Sequence, residues 1–266
     1  AITGGLGGLG LQAAALLVEG GAFKVLLASR SGRVVRTGQH LEKQLRAMGV
    51  AVAAVACDSA SASDASQLLR TDLLVGVLHA AGVLRDKMLR SVLAEDLDAS
   101  FAPKALGAAH ILARVARTPL EVLGLFSSVS STFGNVGQAN YAAANAYLDA
   151  LASCRRWLGT LSMSLQIPAV SGAGMGAETF GTAQLEAMGA ISLDEFAAWL
   201  ACCASPAVVE RTQALLAPAL IALMSTTHAE VEDALAITCE EEALLIQHQR
   251  GLPRSTGKLV RLSLAQ

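Results

Sequence analysis

Short apolar runs alternating with helical patterns constrain this chain more than any other feature. The runs are Ala1–Thr3, Lys24–Ser29, Val50–Cys57, Leu73–His79, Val122–Ser127 and Ser162–Ile167. Between them the apolar spacing predicts helices, notably over Leu9–Glu19, which stops at Gly20-Gly21, and over Ala94–Val115 and Gln138–Trp157. Runs this free of polar alternation belong to strands buried on both faces, the mark of a parallel sheet. Strand and helix in regular alternation predict a doubly wound α/β architecture. The first run is only a stub. With no opening Met, the chain reads as a piece of a longer polypeptide whose first strand is truncated.

Composition narrows the function classes. Of 266 residues, 53% are hydrophobic and 16% charged, with a net charge of −2. That excludes disorder and gives nucleic-acid binding no electrostatic support. Mean hydropathy is +0.49, carried by Ala, Leu and Val rather than by any unbroken apolar stretch of membrane-spanning length. The five cysteines and five histidines are scattered without ligand spacing, so no metal site is expected. Unpatterned thiols fit a reducing, intracellular and cytoplasmic setting. Residues 1–224 are expected to form one domain. Residues 225–266 differ: Glu240-Glu241-Glu242 is followed by Arg250, Arg254, Lys258 and Arg261, which predicts a charged extension or interdomain linker.

The chemistry-bearing motifs begin at once. Thr3-Gly4-Gly5-Leu6-Gly7-Gly8-Leu9-Gly10 holds both GxGxxG and TGxxxGxG between a strand and a helix. Glycines there let a pyrophosphate approach backbone N–H groups at the helix start, the signature of a Rossmann-type dinucleotide site. The second strand ends at Ser29-Arg30-Ser31, where an NAD site would place an acid. An arginine there suits the 2′-phosphate of NADPH. Asp58 ends the third strand and either accepts from the adenine amino group or caps the next helix. Ala80, Ala81 and Gly82 close the fourth strand with room for ribose and nicotinamide. Ser128 ends the fifth strand. Tyr141 follows thirteen residues later and Asn145 four beyond that, on one helical face, while Lys104 lies 24 residues before Ser128. A phenol, with pKa near ~10, is a poor acid until a nearby ammonium favours its ionised form. A Ser hydroxyl beside it polarises a ketone oxygen.

In TGGLGGLG, HAAGVLRD, FAPK, FSSVSS and GQANYAAANAYLDALA the chain resembles the short-chain dehydrogenase/reductase superfamily. Within it, the resemblance is to the ketoreductase domain of modular polyketide synthases and animal-type fatty acid synthases, over about residues 1–224. Asn145 stands where the superfamily's Tyr-x-x-x-Lys would put lysine, and Lys104 replaces it from elsewhere, as in the synthase-embedded members. The resemblance implies hydride transfer from NADPH to a β-ketoacyl chain carried by phosphopantetheine on an acyl carrier protein, among neighbouring synthase domains. It implies that Tyr141 donates the proton, Ser128 holds the carbonyl oxygen, and Lys104 lowers the Tyr141 pKa and, with Asn145, sustains a proton relay.

The chain also departs from the family pattern. The stretch from Cys57 to His79 is short, Ile167-Pro168 stands where Trp-Gly is usual, and the bracing N-terminal half is absent. In the resembling family, one subclass carries Leu-Asp-Asp after the fourth strand and the other a Trp eight residues before the tyrosine. Here Leu84-Arg85-Asp86 and Phe133 stand at those places. They lean toward the first subclass, which the resemblance links to a 3R hydroxyl, with Arg85, Asp86 and Phe133 orienting substrate. Two competing readings are a silent or epimerising NADPH-binding scaffold and a free-standing reductase of small carbonyls.

Overall fold

The computed structural model describes residues 1–34, 43, 51–71, 73–203 and 214–216. The expected extension over 225–266 lies outside them. In chain order the elements are β1 (Ile2–Thr3), α1 (Gly8–Glu19), β2 (Lys24–Ser29), β3 (Ala51–Ala56), α2 (Ala62–Leu68) and β4 (Gly76–His79). Then come α3 (Ala94–Phe101), a π-helical turn (Ala102–Leu106), α4 (Gly107–Val115), β5 (Val122–Ser128), α5 (Ser130–Phe133) and α6 (Ala139–Trp157). Strand β6 (Met163–Ile167), α7 (Met175–Thr179), α8 (Thr182–Ala187), α9 (Leu193–Cys203) and β7 (Ala214–Leu216) complete the series.

The strands form one sheet in the order β3-β2-β1-β4-β5-β6-β7, and every pairing is parallel. The order reverses between β1 and β4, the switch point beside which an open α/β sheet binds its ligand. Helices cover both faces. On one, Leu11, Ala14 and Val18 of α1 and Phe196, Trp199 and Leu200 of α9 pack on Leu27, Phe126 and Leu165. Phe126 and Phe196 meet edge to face, centroids 5.9 Å apart. On the other face, Leu68, Ile111, Leu112 and Val115 cover Val77 and Leu123, and Leu148 and Ala152 of α6 cover Leu125.

The expected doubly wound sheet is therefore present, with three differences. A seventh strand, β7, joins the six read from the sequence. Strand β3 leaves Ala51, Ala54 and Ala56 exposed, so its apolar run is not doubly buried; among the described residues it has a sheet neighbour on one side only. Strand β4 begins at Gly76 rather than Leu73, and Leu73 is 74% exposed. The short Cys57–His79 stretch holds a helix of 7 residues, α2. Among the described residues no helix is long and apolar enough to cross a membrane, and no cluster suited to a metal ion occurs.

Candidate active site

Two adjoining cavities open at the carboxyl ends of the strands. The larger, about 760 Å³, is lined by Thr3, Gly4, Leu6, Gly7, Gly8, Leu9, Gly10, Ser29, Arg30, Ser31, Asp58, Ala80, Ala81 and Gly82. Of the residues expected to hold a cofactor, only Gly5 is missing from that lining. Its N–H donates to the Ala28 carbonyl, and a Cβ there would stand 2.6 Å from the Ile2 oxygen, so it serves the turn itself. Gly4 has φ +69°, and a Cβ on it would lie 2.6 Å from the Ala80 carbonyl, where the loop crosses the end of β4. Any other residue would be strained there and would also force two backbones apart. Asp58 does not cap α2, since Ser61 does, accepting from the Asp64 N–H. Asp58 instead accepts from the Ala60 N–H at the groove edge. Arg33 also lines this groove and escaped the sequence reading; its signal is a second arginine three residues beyond Arg30.

The second cavity, about 380 Å³, shares Leu9, Ala80, Gly174 and Met175 with the first. Lys104, Ser128 and Tyr141 line it together, with Phe133, Leu84, Phe180 and Met188 supplying apolar wall. Strand β5 brings Ser128 to its end, and the Ser128 hydroxyl accepts from the Ser130 N–H at 3.2 Å. Helix α6 presents Tyr141. Asn145 lies one turn beneath it and wholly buried, its Nδ2 donating to the Tyr141 carbonyl at 2.8 Å. The Asn145 Oδ1 has no protein partner.

Lys104 reaches the site through an irregularity. The predicted helix Ala94–Val115 is present, but Pro103 stands in its middle and the turn Ala102–Leu106 is π-helical. Such insertions are concentrated at functional sites. Lys104 is 2% exposed, and its ammonium donates to the Phe126 carbonyl at 2.8 Å and sits 5.2 Å from the Tyr141 ring centroid. Burial pulls its pKa down to about 7, opposed by the field of Asp149. Behind it, fully buried His79 links two site elements. Its Nδ1 lies 2.6 Å from the Thr3 hydroxyl and its Nε2 3.0 Å from the Lys104 carbonyl. The carbonyl can only accept, which puts the ring proton on Nε2 and makes Thr3 the donor to Nδ1. Burial holds this imidazole neutral, its pKa lowered to about 4.

One expectation needs correction. Lys104 does not leave the Tyr141 pKa lowered here. Burial, the largest influence, pushes the phenol above its ordinary value; the Asn145 and Ser128 side chains pull it down and Asp86 pushes it up. The ammonium faces the ring and the Phe126 carbonyl, so desolvation prevails.

Of the residues expected to orient substrate, Phe133 lines the second cavity. Asp86 touches it indirectly, accepting from Gln138 Nε2 at 2.9 Å, and Gln138 is a lining residue. The Arg85 side chain is exposed; its carbonyl accepts from Asn140 Nδ2 at 2.9 Å. Pro168, Ala169, Val170 and Met175, in the stretch that departs from Trp-Gly, wall the cavity.

A family model described as the KR domain matches residues 1–172. The chain belongs to the KR domain family. It is 43% identical over 170 residues to the spectinabilin polyketide synthase system protein NorB of Streptomyces orinoci, covering 62% of this chain and 8% of that protein. The chain thus spans a small part of the curated relatives it matches. A solved structure of A-type ketoreductases from a modular polyketide synthase has a TM-score of 0.71 at 33% identity, covering 80% of this chain and 46% of that one. A Serratia marcescens short-chain dehydrogenase/reductase variant, 21% identical, has a TM-score of 0.69 over 82% of this chain and 96% of its own, a likeness of fold. This KR domain therefore has the fold of the ketoreductase and short-chain dehydrogenase/reductase structures it resembles.

Proposed function

We propose that this KR domain, spanning residues 1–224, reduces the β-keto group of a carrier-protein-bound β-ketoacyl thioester to a β-hydroxyacyl group, using NADPH, among the other domains of a synthase. The observation that carries the reading is the adjoining of the two cavities, one cradled by the glycine loop and the other holding Lys104, Ser128 and Tyr141. The residues present fit a nicotinamide dinucleotide. The glycine loop offers backbone N–H groups to a pyrophosphate, and Arg30 and Ser31 suit a 2′-phosphate. When bound, that cofactor supplies hydride.

The chain's own residues supply the rest. A phenol held above its usual pKa stays protonated at neutral pH, the form that donates to an alkoxide. Ser128, at the cavity wall, gives the carbonyl oxygen a hydroxyl donor. Lys104 and the buried Asn145 stand behind Tyr141, placed to return a proton to it. The apolar wall of Leu84, Phe133, Phe180 and Met188 suits an acyl chain.

Cofactor choice tests the first cavity. Fluorescence titration is expected to show NADPH bound more tightly than NADH, with Arg30→Ala removing about 1.5–3 kcal/mol, the range of a charge-assisted contact. Equal affinity for the two cofactors in the unsubstituted chain would contradict the assignment of Arg30.

A further inference from the structure

Asp149 stands on α6, eight residues after Tyr141 and four after Asn145, so these side chains follow one another along the same side of the helix. Its carboxylate is crowded with donors. Oδ2 accepts from the Ser131 hydroxyl at 2.6 Å and from Gln166 Nε2 at 2.9 Å, and Oδ1 accepts from the Ser164 hydroxyl. Ser131 belongs to the turn immediately after Ser128, and its hydroxyl also donates to the Ser128 carbonyl at 2.8 Å. Ser164 and Gln166 belong to β6. One side chain thus fastens the helix carrying Tyr141 to the segment that follows Ser128 and to the strand that leads into Pro168 and Ala169 of the cavity wall.

Ser164 and Gln166 flank Leu165, which pairs with Phe126, the residue whose carbonyl holds the Lys104 ammonium. The titratable groups against Lys104 are Tyr141 on α6, whose ring faces the ammonium, and His79 on β4, which meets the Lys104 carbonyl and is kept neutral by burial. Asp149 is the charge that acts on Lys104, and it favours the ammonium against desolvation.

We infer that Asp149 is a positioning residue for the proposed reduction, an inference that rests on that reading: it clamps the Ser128 turn to the Tyr141 helix and provides the counter-charge for buried Lys104. A purely structural clamp would affect folding and turnover equally at every pH. A counter-charge moves the pH at which Lys104 loses its proton.

The test is kcat against pH for trans-1-decalone reduction by the full chain with NADPH, unsubstituted and as Asp149→Asn and Asp149→Glu. Asp149→Asn is expected to shift the alkaline loss of kcat downward by about half a pH unit or more, the direction required when one favourable charge is lost. Asp149→Glu is expected to restore the position of that limb. Should the asparagine variant not fold, Asp149→Ser, which also lacks the charge and can accept from Ser164, is expected to give the same downward shift. A limb that stays in place in a folded, charge-free variant overturns the assignment of Asp149. Absence of turnover by the unsubstituted chain overturns the reductase reading instead.

Discussion

At the scale of single residues, Tyr141 and Lys104 are the most exposed to experiment. The phenol is proposed to act on the substrate oxygen alone, so Tyr141→Phe is expected to leave NADPH affinity nearly unchanged and lower kcat at least tenfold, about 1.4 kcal/mol of barrier. A variant retaining more than about a tenth of kcat would give the proton to another group. Lys104 makes a second prediction, on stability. Its folded pKa of about 7 lies below the 10.5 of the ordinary side chain. Between those values the unfolded chain binds more protons, so this residue makes stability rise with pH; below about 7 its cost is present in full. At about 1.4 kcal/mol for each pH unit, that cost is on the order of a few kcal/mol. Lys104→Met is therefore expected to melt above the unsubstituted chain at pH 6, with the gap narrowing from pH 7 to 10. A gap that is constant or widens over that range would show that the ammonium is not desolvated as the structure has it.

At the scale of elements, the π-helical turn decides whether the site forms, and Gly107 lies just after it. Alanine would suit a helix by about 1 kcal/mol. Here, however, a Cβ would lie 2.8 Å from the Ser59 hydroxyl and 3.1 Å from His79 Cε1. The imidazole is fixed by Thr3 and by the Lys104 carbonyl, so it cannot step aside. Gly107→Ala is expected to lower stability by about 1–3 kcal/mol by overpacking, seen as a lower melting temperature. An unchanged or raised one would mean that the pocket yields. This turn also marks where sequence reading stops. The helix over 94–115, the Tyr141 helix and the ends of β2 and β5 were legible because apolar period and strand-end motifs are local properties. The widened turn leaves one local trace, Pro103, and the orientation of Lys104 follows from the turn rather than from spacing. The donors to Asp149 lie 15 to 18 residues away and converge only through sheet order, as do Thr3 and His79, 76 residues apart. Sign was illegible too: the family resemblance put an ammonium beside a phenol, but burial set the direction of the phenol's pKa.

At the scale of the whole molecule, the parallel sheet gathers the glycine loop, the Ser128 turn and the Tyr141 end of α6 at one edge, where Pro168, Ala169, Val170 and Met175 wall the second cavity. Phe133 lines the second cavity and Asp86 reaches it through Gln138, and the family resemblance links residues at these places to a 3R alcohol. The account's central claim is that this edge transfers hydride from NADPH to a β-ketothioester. The most direct measurement is the reaction of the full chain with NADPH and an N-acetylcysteamine β-ketothioester, following NADPH absorbance and resolving the product by chiral chromatography. The account predicts one equivalent of β-hydroxythioester, mainly 3R, for each NADPH consumed. NADPH that binds but is not oxidised, with the ketothioester recovered unchanged, would contradict it.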